Sequence, residues 1–240
     1  MSARLSATPS TSFSRFAGVC ALLSAPLAFG CLLLALQAVD FDFAALEDPT
    51  GSLGVGAQAA RLVRWSMVLN LFGYYLLLAP AALYLHERLG AREPQWMRLF
   101  TLGGLGYILL GAMGSVILAA AWPPLISDYS SATGADRFVL QTTFVALTHA
   151  VTDGIWNILE VLLAGVWWTG IGLTSRDQWP AFAWMSVALG VACLLDAVGN
   201  ILLIPALGSL GLNVYLVLSP LWALWLGVLI LRARDVSTAR

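Results

Sequence analysis

Long apolar runs separated by short polar clusters dominate the chain. Residues 17–39 carry no charge, and as a helix this run is long enough to cross about 30 Å of hydrocarbon. Residues 65–85, 99–121, 154–173, 181–204 and 212–231 repeat the pattern. Between them lie polar connections. Residues 40–56 hold Asp40, Asp42, Glu47 and Asp48, followed by Pro49 and glycines. Residues 86–98 hold Arg88, Arg92 and Arg98, and residues 127–137 and 175–180 are shorter breaks. This alternation predicts an all-α fold, a polytopic transmembrane helical bundle of about six spans. Residues 15–234 form the membrane domain, residues 1–14 a flexible Ser/Thr-rich cytoplasmic tail, and residues 235–240 a second short tail. Arg4 and Arg15 before the first run also suit a cleaved signal peptide, but its length favours a retained helix.

Three local features qualify the pattern. Trp122-Pro123-Pro124 is expected to end the third span, and Gly208-Ser209-Leu210-Gly211 to form a turn. Residues 138–173 are too many for one crossing, since they would run about 54 Å as a straight helix. The part over 138–153 is therefore expected as a helical extension of the fourth span or as a separate interfacial helix.

Composition agrees with a bilayer as solvent. Of 240 residues, 60% are hydrophobic and 10% charged, and a soluble domain could not hide that much apolar surface. The net charge of −1 gives no basis for a nucleic-acid partner. All twelve basic residues are Arg, which excludes Schiff-base chemistry on this chain. Two histidines, His86 and His149, are too few for a histidine-rich oxygenase. They fall on opposite sides of the predicted membrane, so they do not form a bis-His haem site. Cys20, Cys31 and Cys193 sit singly in apolar runs and read as small hydrophobes. No cofactor or metal is implied.

Arginine also orients the chain. With both termini cytoplasmic, nine Arg fall on inner segments and three (Arg61, Arg64 and Arg137) on outer ones. Trp65, Trp96, Trp122, Trp179 and Trp184 fall near span ends, as an interfacial belt does. The expected location is a cell membrane, of the bacterial inner-membrane type.

The candidate chemistry lies inside the spans. His149, Asp153, Trp156, Asn157 and Glu160 fall within an arc of about 100° on an ideal helix, a stripe that should avoid lipid. Asp196 and Asn200 share a face of the fifth span. Counting residues places Glu160 and Asp196 at similar depth, about 9 Å and 8 Å below the outer boundary. Asn70 and Tyr74 of the second span enter the same zone, with Asn213 and Tyr215 at its mouth. These residues predict a polar pocket in the outer third, between the fourth and fifth spans, closed below by apolar packing. Two adjacent carboxyls there would share one proton. Arg64 is the nearest candidate counter-ion, although Arg61 and Arg64 equally suit the acids of the first loop. The blander reading makes the same residues interhelical hydrogen-bond glue. Gly111 and Ser115, and Gly103, Gly104 and Gly106, read as sites of close helix approach.

Arg15-Phe16-Ala17-Gly18 opens the first span, a long fourth segment carries His149, residues 175–179 form a turn, and Leu194-Leu195-Asp196 lies in the fifth span. With these, nearly the whole chain resembles an uncharacterised bacterial family of six-helix membrane proteins, the domain-of-unknown-function 4386 group. That resemblance implies the fold and no activity. Glu160 and the Asp153/Asn157 face are not features of that group. Three functions follow as expectations. The chain binds or moves a small or lipid-like ligand, with the bilayer as its other partner. Alternatively it is a membrane enzyme on a lipidic substrate, with carboxyl acid and base assisted by His149, or an accessory subunit without a site.

Overall fold

The computed structural model describes residues 10–42, 45, 48–91 and 93–238. Of the tail expected over residues 1–14, residues 1–9 lie outside the described residues, as do Glu47, Arg92 and residues 239–240. All regular structure among the described residues is helical, and six helical segments are long and apolar enough to cross a membrane. They are the first span Thr11–Ala38, the second Ala57–Leu89, the third Pro94–Ser131, the fourth Gly134–Ser175, the fifth Pro180–Ile201 and the sixth Pro205–Ala233. The sixth continues as helix to Thr238. This is the fold class that the apolar pattern predicts.

Each span packs on its neighbours in sequence, and the sixth packs back on the first, so the six close into a ring. The outer faces are apolar. On the third span Leu102, Leu105, Leu109, Met113 and Val116 are exposed at helical spacing, and every other span shows a comparable set. Such faces are stable against lipid and unstable against water. The inward faces carry small residues and aromatic rings instead. A cluster of Tyr74, Tyr75, Tyr107, Trp167, Trp168, Tyr215 and Trp222 fills the ring's centre.

Prolines set many of the helix starts. Pro94, Pro180 and Pro205 each open a span, where the missing N–H costs nothing because no intrahelical acceptor exists there. Ser10 caps the first span by accepting from the Phe13 N–H, so the helix begins inside the segment read from sequence as tail.

Two expectations fail. The third span does not end at Pro123-Pro124. It runs on to Ser131, although the two prolines cannot donate to the carbonyls of Ala119 and Ala120. Packing holds the extra turns. Ile126 joins Leu53, Ala60 and Phe144 in a small separate core, with Trp122, Leu125 and Tyr129 against it. Residues 208–211 are likewise helix, not turn. Their glycines serve close approach to the fifth span: a Cβ on Gly211 would lie 2.5 Å from the backbone nitrogen of Asp196. The fourth segment is one continuous helical run of 42 residues, which resolves the two possibilities left open for residues 138–153 in favour of the extension.

Candidate functional site

The site begins with a broken helix. Pro80 has no N–H to give the carbonyl of Leu76, and its ring crowds that carbonyl. The second span adjusts before it. Leu71–Tyr75 form a wide π turn, Leu76–Leu78 a tight 3₁₀ turn, and the Ala79 N–H takes over the Leu76 carbonyl. The change of pitch leaves carbonyls of the π turn for partners outside the helix. Ser24 of the first span donates to the Gly73 carbonyl, and the Tyr107 hydroxyl of the third donates to the Tyr74 carbonyl at 2.7 Å. Non-helical backbone at membrane depth persists only where neighbouring helices satisfy it in this way.

The π turn also decides where side chains point. Asn70 and Tyr75 are five residues apart and both face the third span. Asn70 Nδ2 donates to Ser115 Oγ at 3.0 Å, and the Tyr75 ring lies flush on Gly111, where a Cβ would come within 1.9 Å of it. Tyr74 turns away, and its hydroxyl donates to the Leu216 carbonyl of the sixth span at 2.9 Å. The Tyr107 and Tyr215 hydroxyls lie 3.1 Å apart.

The fourth span carries a second π stretch, Ala150–Glu160. It spreads the sequence-predicted stripe from an exposed end to a buried one. His149 Nδ1 and Asp153 Oδ2 are 2.5 Å apart, with both side chains about half exposed (53% and 51%). Thr152 Oγ1 donates to the other Asp153 oxygen at 2.9 Å. Trp156 lies against Gly114 of the third span, and its indole N–H is buried without a hydrogen-bond partner among the described residues. Asn157 is half-buried. Glu160 ends the stretch at 1% exposure, and the Tyr75 hydroxyl lies 3.2 Å from each of its oxygens.

Asp196 is fully buried on the fifth span, within electrostatic reach of Glu160. Asn200 Nδ2 donates to its Oδ1 at 2.8 Å, and its Oδ2 has no hydrogen-bond partner among the described residues. Among the described residues no Arg or His pairs with either carboxyl, so neither Arg64 nor Arg61 serves there as counter-ion. No group of three or more His, Cys, Asp or Glu among the described residues could hold a metal ion.

No family model, curated protein or solved structure matches the chain. What the site can do is therefore read from its own geometry. Glu160 meets Tyr75, and Asp196, bonded to Asn200, lies within electrostatic reach of Glu160, while Asn70 and Tyr74 bond instead to Ser115 and Leu216. His149 and Asp153 form a separate exposed pair. Tyr75 and Tyr107 are the members that sequence reasoning omits. Pro80, placed five residues after Tyr75, is the signal that marks the turn where the helical count changes.

Proposed function

We propose that this membrane protein binds or translocates a small or lipid-like molecule. Its path opens outward between the fourth and fifth spans, and Glu160 and Asp196 form its polar floor. The observation that carries the reading is the Tyr75–Glu160 contact, where the π stretches of two spans meet on a buried carboxyl without a cation. Ionisable groups at such depth are expensive and mark function by default, and π turns recur at functional sites because they can shift register. In the conformation seen here both carboxyls are closed off, which suits the occluded member of a pair of states.

Arginine distribution supports cytoplasmic termini in a bacterial-type inner membrane, and the six-helix resemblance stands as a proposal about ancestry alone. The acid–base enzyme alternative draws on the His149–Asp153 pair. That pair is exposed and bonded internally rather than to Glu160, so it supports the enzyme reading less well.

Labelling tests the reading without knowledge of the ligand. In a background with Cys20, Cys31 and Cys193 replaced by Ala, single cysteines at Asn157, Asn200 and Trp168 are exposed to a membrane-impermeant maleimide from outside. Asn157→Cys and Asn200→Cys are expected to react, Trp168→Cys to stay protected, and Glu160→Gln to change the reaction rate at Asn157→Cys. Complete protection of both outer positions, with or without Glu160→Gln, would sink the outward path.

A further inference from the structure

A cavity lies away from Glu160, where the first span ends and the second begins. Its outer chamber is about 560 Å³ in volume, and its polar walls are Gln37, Asp40, Gln58 and Arg61. Among the described residues neither the Asp40 carboxylate nor the Arg61 guanidinium forms a side-chain hydrogen bond or an ion pair. Among the described residues an unpaired anion and an unpaired cation thus line a single space. Ala38 and Val55 are shared with an inner slot of about 80 Å³, walled chiefly by Val63, Met67, Trp122, Ile126 and Phe144. Polarity therefore falls from chamber to slot, whose walls include Ile126 and Phe144 of the small separate core.

We propose that this composite cavity is a binding site for a zwitterionic amphiphile. The ammonium group of the headgroup lies at Asp40, its phosphate or carboxylate at Arg61, and the first part of an acyl chain enters the slot. Guanidinium is well matched to phosphate and carboxylate oxygens through its fork of donors. An alkyl chain suits a slot lined by Met, Val, Ile and aromatic carbon, and the two wall glutamines can donate to ester or phosphate oxygens. A purely anionic headgroup would leave Asp40 facing like charge, and a purely cationic one would do the same to Arg61. The site stands independently of the path at Glu160. No residue of one lines the other.

The test uses the full chain in a non-ionic micelle and four probes: lysophosphatidylcholine, lysophosphatidylglycerol, an alkyltrimethylammonium of equal chain length, and glycerophosphocholine, which has the headgroup without the tail. Lysophosphatidylcholine is expected to bind at least tenfold tighter than the other three. Arg61→Ala and Asp40→Asn should each weaken it tenfold or more, since both positions are exposed and tolerate change. Val55→Phe, which fills the slot, should weaken lysophosphatidylcholine and leave glycerophosphocholine unaltered. If that variant does not fold, a chain-length series on the wild type replaces it, with affinity rising and then levelling once the slot is full. Glu160→Gln should leave all four affinities unchanged. Equal binding of the three tailed probes, or affinities indifferent to Arg61→Ala and Asp40→Asn, would mean simple partition into the micelle and would overturn the site. Preference for glycerophosphocholine over the tailed form would also overturn it, by showing a soluble headgroup as the ligand.

Discussion

The Tyr75 hydroxyl is the sole hydrogen-bond donor that the described residues offer to Glu160, and it stands equidistant from both carboxyl oxygens at 3.2 Å. Tyr75→Phe therefore strands a buried acid. Loss of a donor to a buried polar group costs about 1–3 kcal/mol, so the variant should lose that much stability in a denaturation series in micelles. A cycle with Glu160→Gln should show a coupling of about 0.5–3 kcal/mol. Strict additivity of the two changes would mean that the contact carries no energy.

Glycine substitutions should divide sharply by position. A methyl group on Gly111 would overlap the Tyr75 ring, and one on Gly73 would lie 2.4 Å from the Ala28 nitrogen, whereas one on Gly154 meets nothing within 4 Å. Gly111→Ala and Gly73→Ala should lower the melting temperature by many degrees. Gly154→Ala should leave it unchanged or raise it, because Ala restricts the unfolded chain by about 0.4–1 kcal/mol. Equal tolerance at all three positions would contradict the packing described.

The carbonyls released by the π turn depend on two hydroxyls. Ser24→Ala and Tyr107→Phe each remove the side-chain partner of one carbonyl, Gly73 and Tyr74 respectively. Each should cost about 1–3 kcal/mol. Hydrogen exchange should quicken at residues 73–79 in both variants and stay unchanged at residues 181–190. Unaltered exchange in the first segment would show that the helix closes on itself without them.

Asp48 caps the short helix Pro49–Leu53 by accepting from the Thr50 hydroxyl at 2.6 Å and the Thr50 N–H at 2.9 Å. These donors, the hydroxyl foremost, hold its carboxyl below the ordinary aspartate value. A depressed folded value means that the cap's contribution is complete above the unfolded titration range and is lost as pH falls through the folded value. Amide exchange at residues 52–54, corrected for intrinsic rates, should rise on acidification in the wild type and show no such step in Asp48→Asn.

Orientation is open to the same impermeant reagent in intact cells. Cysteines at Gly54 and Thr133 should react from outside, and one at Asp177 should react only after permeabilisation. The reverse pattern would invert the topology read from arginine.

How much of this was legible in the chain depends on what each residue reports. Apolar runs report burial in lipid directly, so the six spans are readable. Span ends are less so. Pro123 and Pro124 mark a weak point in a helix, but whether the helix stops there is decided by Phe144 and Leu53, which lie far off in sequence. Glu160 and Asp196 stand out as charges in apolar runs. Their partners do not, because selecting a face by ideal α-helical spacing brings Asn70 and Tyr74 together. The wide turn before Pro80 instead gives Tyr75 the place facing Glu160 and sends Tyr74 to the sixth span. The local consequence of a proline can be anticipated, whereas the new direction of each side chain requires the neighbouring helices.

The third and fourth spans, at 38 and 42 residues, each exceed what the hydrocarbon requires by roughly 20 Å or more at 1.5 Å per residue. The excess is gathered on one face, where their joined ends, the short helix Pro49–Leu53 and the core around Phe144 meet. On the opposite face the described connections between spans are short, at residues 90–91 and 176–179, and the sixth span runs on as helix to Thr238. A solute approaching from the first side meets a folded porch with its own hydrophobic foundation. The two faces thus differ in architecture: the built-up one carries a core of its own, apart from the aromatic cluster that fills the ring's centre.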